Sequence, residues 1–118
     1  VLLVEDDDGF RFAAETVLRR AGFEVTAAVD HDTALGALSS APFDVVVTDN
    51  VQGPGETRPP FATLVSELAP ETPLVVMSGS ARDTAVPPGV TAAAFLRKPF
   101  TPRTLVDTVS SAVSHRPE

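Results

Sequence analysis

Two short apolar runs in this chain each stop at carboxylates. Val1-Leu2-Leu3-Val4 leads into Glu5-Asp6-Asp7-Asp8, and Val45-Val46-Val47-Thr48 leads into Asp49. Continuous Val and Leu runs of this length mark strands buried on both faces, the kind found in parallel sheets. In open α/β sheets the functional crevice lies beyond the carboxyl ends of the strands. If the two runs are neighbouring parallel strands, their acidic ends meet there. Like charges held together cost free energy unless something positive sits between them, usually a hard divalent cation with oxygen ligands.

The rest of the chain supplies the sheet and its cover. Apolar residues at Phe10, Ala13, Ala14, Val17, Leu18 and Ala21 have the spacing of one helical face, which Gly22 ends. Phe23 to Ala28 reads as a strand, Asp32 as the cap of a helix through Leu38, and Pro42 closes that unit. A strand from Asp44 to Thr48 is followed by a Gly- and Pro-rich loop from Asn50 to Pro60, then a helix with the face Phe61, Leu64, Val65 and Leu68. Leu74 to Met77 forms a fourth strand ending at Ser78-Gly79-Ser80, and Ala92 to Leu96 a weaker fifth before Arg97-Lys98-Pro99. The last helix is capped by Thr101, starts at Pro102, and buries Leu105, Val109, Ala112 and Val113. Strand alternating with helix in this way implies a parallel sheet covered on both faces through right-handed crossovers.

The bulk numbers narrow the function. With 118 residues and 43% apolar content, the chain is expected to form one domain over residues 1–118. Its formal net charge of -7 and lack of any Lys or Arg run argue against direct nucleic-acid binding. Zero Cys excludes disulfides, Cys-ligated zinc and thiol catalysis, and fits a reducing, cytoplasmic setting. No apolar stretch approaches the roughly 20 residues that span a bilayer, so no membrane contact is expected of this domain. The chain is apolar from Val1 and reads as a fragment or processed chain rather than a signal peptide, leaving room for a membrane-tethered parent.

Collecting the strand ends gives Glu5 and Asp6 from the first, Asp49 from the third, Ser78 from the fourth and Lys98 from the fifth. Together they suit phosphoryl transfer. Mg²⁺ takes one or two carboxylates plus phosphate oxygens and waters, so Asp6 and Asp49 can hold it directly while Glu5 acts on a coordinated water. Asp49 keeps an oxygen free to attack and form an aspartyl-phosphate. Such transfers depend on positioning and on neutralising phosphoryl oxygens, for which Lys98 offers charge and Ser78 a hydroxyl donor. Asp7 and Asp8 read as helix-start residues, and His31 and His115 as surface residues without a spaced ligand partner.

In order and spacing, these residues resemble the receiver domain of two-component response regulators, and the resemblance covers nearly the whole chain. It rests on the acidic pair Glu5-Asp6, the acceptor Asp49, the hydroxyl Ser78 with Gly79 beside it, and Lys98-Pro99-Phe100. The resemblance implies a flavodoxin-like fold with five parallel strands in the order 2-1-3-4-5. It implies Mg²⁺ held by Glu5, Asp6, Asp49 and the backbone carbonyl of Val51. It also implies a phosphoryl group taken from a histidine kinase or histidine phosphotransfer protein, and a switch in which Ser78 moves inward and Phe95 fills the vacated space. Such a domain is a signalling switch rather than an enzyme, although it takes part in its own phosphorylation.

Two stretches depart from the family pattern. After the acceptor the chain reads Asn50-Val51-Gln52-Gly53-Pro54-Gly55, with the Pro displaced by one place. Between Ser78 and the fifth strand, Pro87-Pro88-Gly89 leaves room for only a shortened or irregular fourth helix, which argues against a dimer built on that face. The family tunes dephosphorylation two places beyond the acceptor and two beyond the switch hydroxyl. Val51 and Ser80 stand there and orient no attacking water, which implies a moderately long-lived phosphoryl group. These departures keep a pseudo-receiver, signalling by protein interaction without phosphorylation, as the alternative. An aspartyl phosphohydrolase would need a second Asp where Val51 stands, and a flavin site would need a phosphate loop where four acids stand.

Overall fold

The computed structural model describes residues 1–49, 61–78, 92–98 and 100–114, with the side chains of Phe61, Ala62, Ser78 and Ser114 left aside. The elements run β1 (Leu2–Val4), α1 (Asp8–Arg20), β2 (Thr26–Ala28), α2 (His31–Ser40), β3 (Val46–Thr48), α3 (Phe61–Leu68), β4 (Leu74–Ser78), β5 (Ala94–Arg97) and α4 (Pro102–Ser114). All five strands are parallel, in the order β2-β1-β3-β4-β5. The chain therefore reverses direction of travel across the sheet after β2. This puts β1 and β3 side by side, with Leu3 opposite Val47 and Val4 opposite Thr48.

Alternation along the strands sorts the core into two layers. Leu3, Val45, Val47, Val75, Met77 and Leu96 pack with Ala14 and Leu18 of α1 and Leu105, Val109 and Ala112 of α4. Leu2, Val4, Val46, Leu74 and Val76 pack on the opposite face with Ala34 of α2 and Val65 of α3. Both faces of the sheet are thus covered, which is why the strands read as unbroken apolar runs.

Helix ends follow local chemistry. Asp7 Oδ1 accepts the N–H of Phe10 at 2.9 Å, Asp8 lies in the first turn of α1, and Arg19 and Arg20 lie in its last, each sign placed to suit the helix dipole. Past the C-cap Ala21, the chain leaves α1 through Gly22 at φ 101°, the backbone region where a Cβ is costly. Ala41, the C-cap of α2, is extended as the residue before a proline must be. The hydroxyl of Thr101 accepts from the N–H of Thr104 at 3.1 Å and caps α4.

Several boundaries differ from the sequence expectation. The cap of α2 is Asp30, whose Oδ1 accepts the N–H of Thr33 at 2.8 Å, and not Asp32, which lies inside the first turn. β2 is only three residues because β1 offers only Leu2–Val4 to pair with. β5 begins at Ala94, in register with Val75, and extends to Arg97 opposite Ser78. On the helix faces, Ala13 and Ala21 are exposed, and Leu68, at the last position of α3, is 50% exposed. The Asn50–Pro60 loop, Val51, Gly79, Ser80, the expected irregular helix around Pro87-Pro88, Pro99 and His115 lie outside the described residues.

Candidate functional site

The backbone ladders place the acidic residues. Glu5 lies one residue past β1, and its N–H still bonds the carbonyl of Ala28 at 3.1 Å. Asp49 lies one residue past β3, and its N–H bonds the carbonyl of Val4 at 3.3 Å. With a side-chain period of two, Glu5 follows Leu3, Asp49 follows Val47 and Lys98 follows Leu96, all residues of the layer under α1 and α4. The site is the polar continuation of that core layer, beyond the carboxyl ends of the strands.

Carboxylate oxygens of Glu5, Asp6 and Asp49 lie within 4.8 Å of one another. Glu5 is 2% exposed, Asp49 half-buried and Asp6 exposed, so the cluster grades from the interior to solvent. Lys98 Nζ donates to Glu5 Oε2 at 2.9 Å across 93 positions of sequence. The N–H of Asp7 donates to Glu5 Oε1 at 3.2 Å. Burial pushes the Glu5 carboxyl above its ordinary pKa and the neighbouring Asp49 adds to the rise, while the hydrogen bonds from Lys98 and Asp7 pull against it. The donors are all oxygen, without His or Cys, and their spread is close to the ~4.2 Å between opposite ligands of Mg²⁺, so the residues fit a small hard cation.

Four of the expected site residues, Glu5, Asp6, Asp49 and Lys98, come together in this way. Ser78 ends β4, in register with Arg97 on β5, which brings its backbone to the same edge of the sheet. Phe95 stands opposite Val76 and is 46% exposed. Residues the sequence reading did not place in the site also contribute. Arg11 donates to the backbone carbonyl of Glu5 at 2.9 Å and to Asp8 Oδ1 at 2.6 Å, tying the acidic turn to α1. The ring of Phe10 lies under Lys98 Nζ at 4.4 Å and meets Phe100 edge-on. The spacing of Asp8 and Arg11 on a helix was the one local signal for any of these. A cleft of about 580 Å³ opens at the other end of the sheet, between Pro73, Ala94 and Thr108, with no buried charged side chain among its described residues.

The molecule is a doubly wound parallel α/β domain with a carboxylate cluster and a lysine beyond the carboxyl ends of its strands, where ligands bind in open sheets of this kind. Residues 1–110 match the family described as the response regulator receiver domain, and the chain belongs to that family. It is 36% identical over 112 residues to the response regulator protein FleR of Pseudomonas aeruginosa, covering 93% of this chain and 24% of FleR. It is 34% identical over 122 residues to the regulatory protein VirG of Agrobacterium tumefaciens, covering 99% of this chain and 44% of VirG. The chain thus spans about a quarter to under half of these curated relatives. A solved response regulator receiver protein from Sinorhizobium medicae superposes with a TM-score of 0.76 at 32% identity, covering 98% of this chain and 94% of the other. The molecule is a receiver domain of two-component signalling with the flavodoxin-like strand order.

Proposed function

We propose that residues 1–118 form one receiver domain that accepts a phosphoryl group on Asp49 from a phosphohistidine of a histidine kinase or histidine phosphotransfer protein, in a Mg²⁺-dependent reaction. The observation that carries this reading is the convergence of Glu5, Asp6 and Asp49 with Lys98 on one strand-end edge. In the transfer, an Asp49 carboxylate oxygen forms a bond to phosphorus as the P–N bond breaks, and that electron pair goes to the imidazole nitrogen. Glu5, Asp6, Asp49 and the carbonyl of Val51 would hold the cation, which supplies positive charge to the phosphoryl oxygens. Lys98 leaves Glu5 to meet one phosphoryl oxygen, and the Ser78 hydroxyl meets another. Phe95, half out in solvent, is the group free to move when Ser78 is drawn in. Gly79, small and next to Ser78 in sequence, and Pro99, next to Lys98, complete the set of residues carried over from the family pattern.

No helix among the described residues is long and apolar enough to cross a membrane. We place the domain on the cytoplasmic side, free or tethered through a parent kinase. Incubation with a small-molecule phosphodonor tests the reading: acid-labile phosphate is incorporated with Mg²⁺ present, and is lost with a chelator or in Asp49→Asn. Failure of the unaltered chain to incorporate phosphate, with the fold intact, would establish the pseudo-receiver instead.

A further inference from the structure

We propose that Phe10 is a positioning residue for the Lys98 ammonium, an inference that rests on Asp49 being the phosphoacceptor. Among the described residues, Lys98 Nζ meets two groups of different kinds, Glu5 Oε2 at 2.9 Å and the face of Phe10 at 4.4 Å from the ring centroid. Phe10 is itself held at two points, its backbone and its ring. The Phe10 N–H is fixed at the first turn of α1 by Asp7 Oδ1 at 2.9 Å. Its ring meets Phe100 in a T-shaped contact, with centroids 5.6 Å apart and planes at 86°. Phe100 follows Lys98 by two residues, so the segment that delivers the lysine also sets the ring that receives it.

The two contacts respond differently when the lysine acts. A hydrogen bond to Glu5 is directional and is given up as the ammonium moves to a phosphoryl oxygen. Attraction to a ring face is broad and persists while the charge moves across it within about 6 Å of the centroid. Phe10 therefore keeps the ammonium inside the pocket during the exchange and shields one side of it from water, which strengthens its pull on the phosphoryl group. Lysine is a flexible point charge with rotamer freedom to lose, so a second anchor matters more for it than for arginine. If Phe10 only fills space, any apolar side chain of similar volume would serve equally well.

The test compares the unaltered chain with Phe10→Leu, Phe10→Met and Phe10→Tyr in Mg²⁺-dependent phosphorylation by acetyl phosphate, separating the maximal rate constant from the half-saturating donor concentration. The Lys98 ε-methylene protons, read by NMR, report the ring directly. Phe10→Leu and Phe10→Met are expected to lower the maximal rate constant about three- to ten-fold. Their Mg²⁺ affinity is expected to stay within about two-fold, and Phe10→Tyr to restore the rate to within about two-fold. The ring-current shift of the Lys98 protons is expected in the unaltered chain and Phe10→Tyr and not in the aliphatic variants. Full rates in both aliphatic variants, or a Phe10→Tyr chain as slow as they are, overturn the inference while leaving Asp49 as acceptor. An unaltered chain that takes up no phosphoryl group overturns the acceptor reading and this inference with it.

Discussion

The turn from β1 into α1 reads Glu5-Asp6-Asp7-Asp8 and the turn from β2 into α2 reads Val29-Asp30-His31-Asp32, and each supplies an Asp whose Oδ1 caps the following helix, Asp7 to Phe10 at 2.9 Å and Asp30 to Thr33 at 2.8 Å. At the first turn Glu5 is buried and joined by Asp49, whereas Asp30 is fully exposed. Place in the sheet accounts for the difference. β1 is flanked on both sides, by β2 and β3, so its acidic end meets the acidic end of β3. β2 is an edge strand, and among the described residues its Asp bonds only its own helix. Acid at a strand end becomes a site where a neighbouring strand brings more acid to it, and otherwise remains a cap.

The comparison can be broken most forcefully with metal. Asp6→Asn and Asp49→Asn are each expected to weaken Mg²⁺ binding at least about tenfold, whereas Asp30→Asn leaves it unchanged. Calorimetric titration is the suitable measurement, because a chain without Trp or Tyr gives little intrinsic fluorescence. Equal losses at both turns would erase the distinction.

A second substitution tests whether burial of a polar atom near the site is itself functional. Thr48, 0% exposed at the end of β3, has an Oγ1 with no hydrogen-bond partner among the described residues. Its side chain follows Val46 into the layer under α2 and α3, away from Glu5 and Asp49. Replacing a lone buried hydroxyl by a methyl of similar volume in Thr48→Val is expected to raise stability by about 1 kcal/mol, read from urea denaturation, with phosphorylation unaffected.

The smallest effect is in the pH dependence, where the two turns have opposite signs. Burial raises the Glu5 pKa in the folded state, so its contribution is present below the unfolded Glu value and is lost as pH rises through the raised value. The Thr33 N–H and hydroxyl lower the Asp30 pKa, so its contribution is present above the unfolded Asp value and is lost as pH falls through the lowered one. Stability relative to Glu5→Gln should therefore decline with rising pH, and stability relative to Asp30→Asn should grow. Denaturation across the acid range in the three chains checks both slopes, and slopes of one sign would refute the assignment.

The same contrast shows how much could be read beforehand. Unbroken Val and Leu runs revealed the buried parallel strands, and their acidic endings located Glu5, Asp6 and Asp49, because those signals are local. Asp30 and Asp32 are two residues apart and chemically alike, and the choice of cap depended on where β2 stopped pairing with β1. The strand limits at Thr26 and Ala94 likewise follow from partner length and register. Phe10 read as one more residue on the buried face of α1. Its meeting with Lys98, 88 positions later in a 118-residue chain, exists only once α1 and the end of β5 are brought together.

The strict register of β1 has a consequence for when the domain can carry information. Val4 is paired with Ala28 on one side and Thr48 on the other, and the N–H groups of Glu5 and Asp49 extend those same two ladders. A slip of one residue would turn Leu3 away from α1 and α4 and carry Glu5 to the opposite face with it. The packing that stabilises the chain and the alignment that brings Glu5 and Asp49 together are therefore one event. A nascent or damaged copy, not yet in register, has no such cluster.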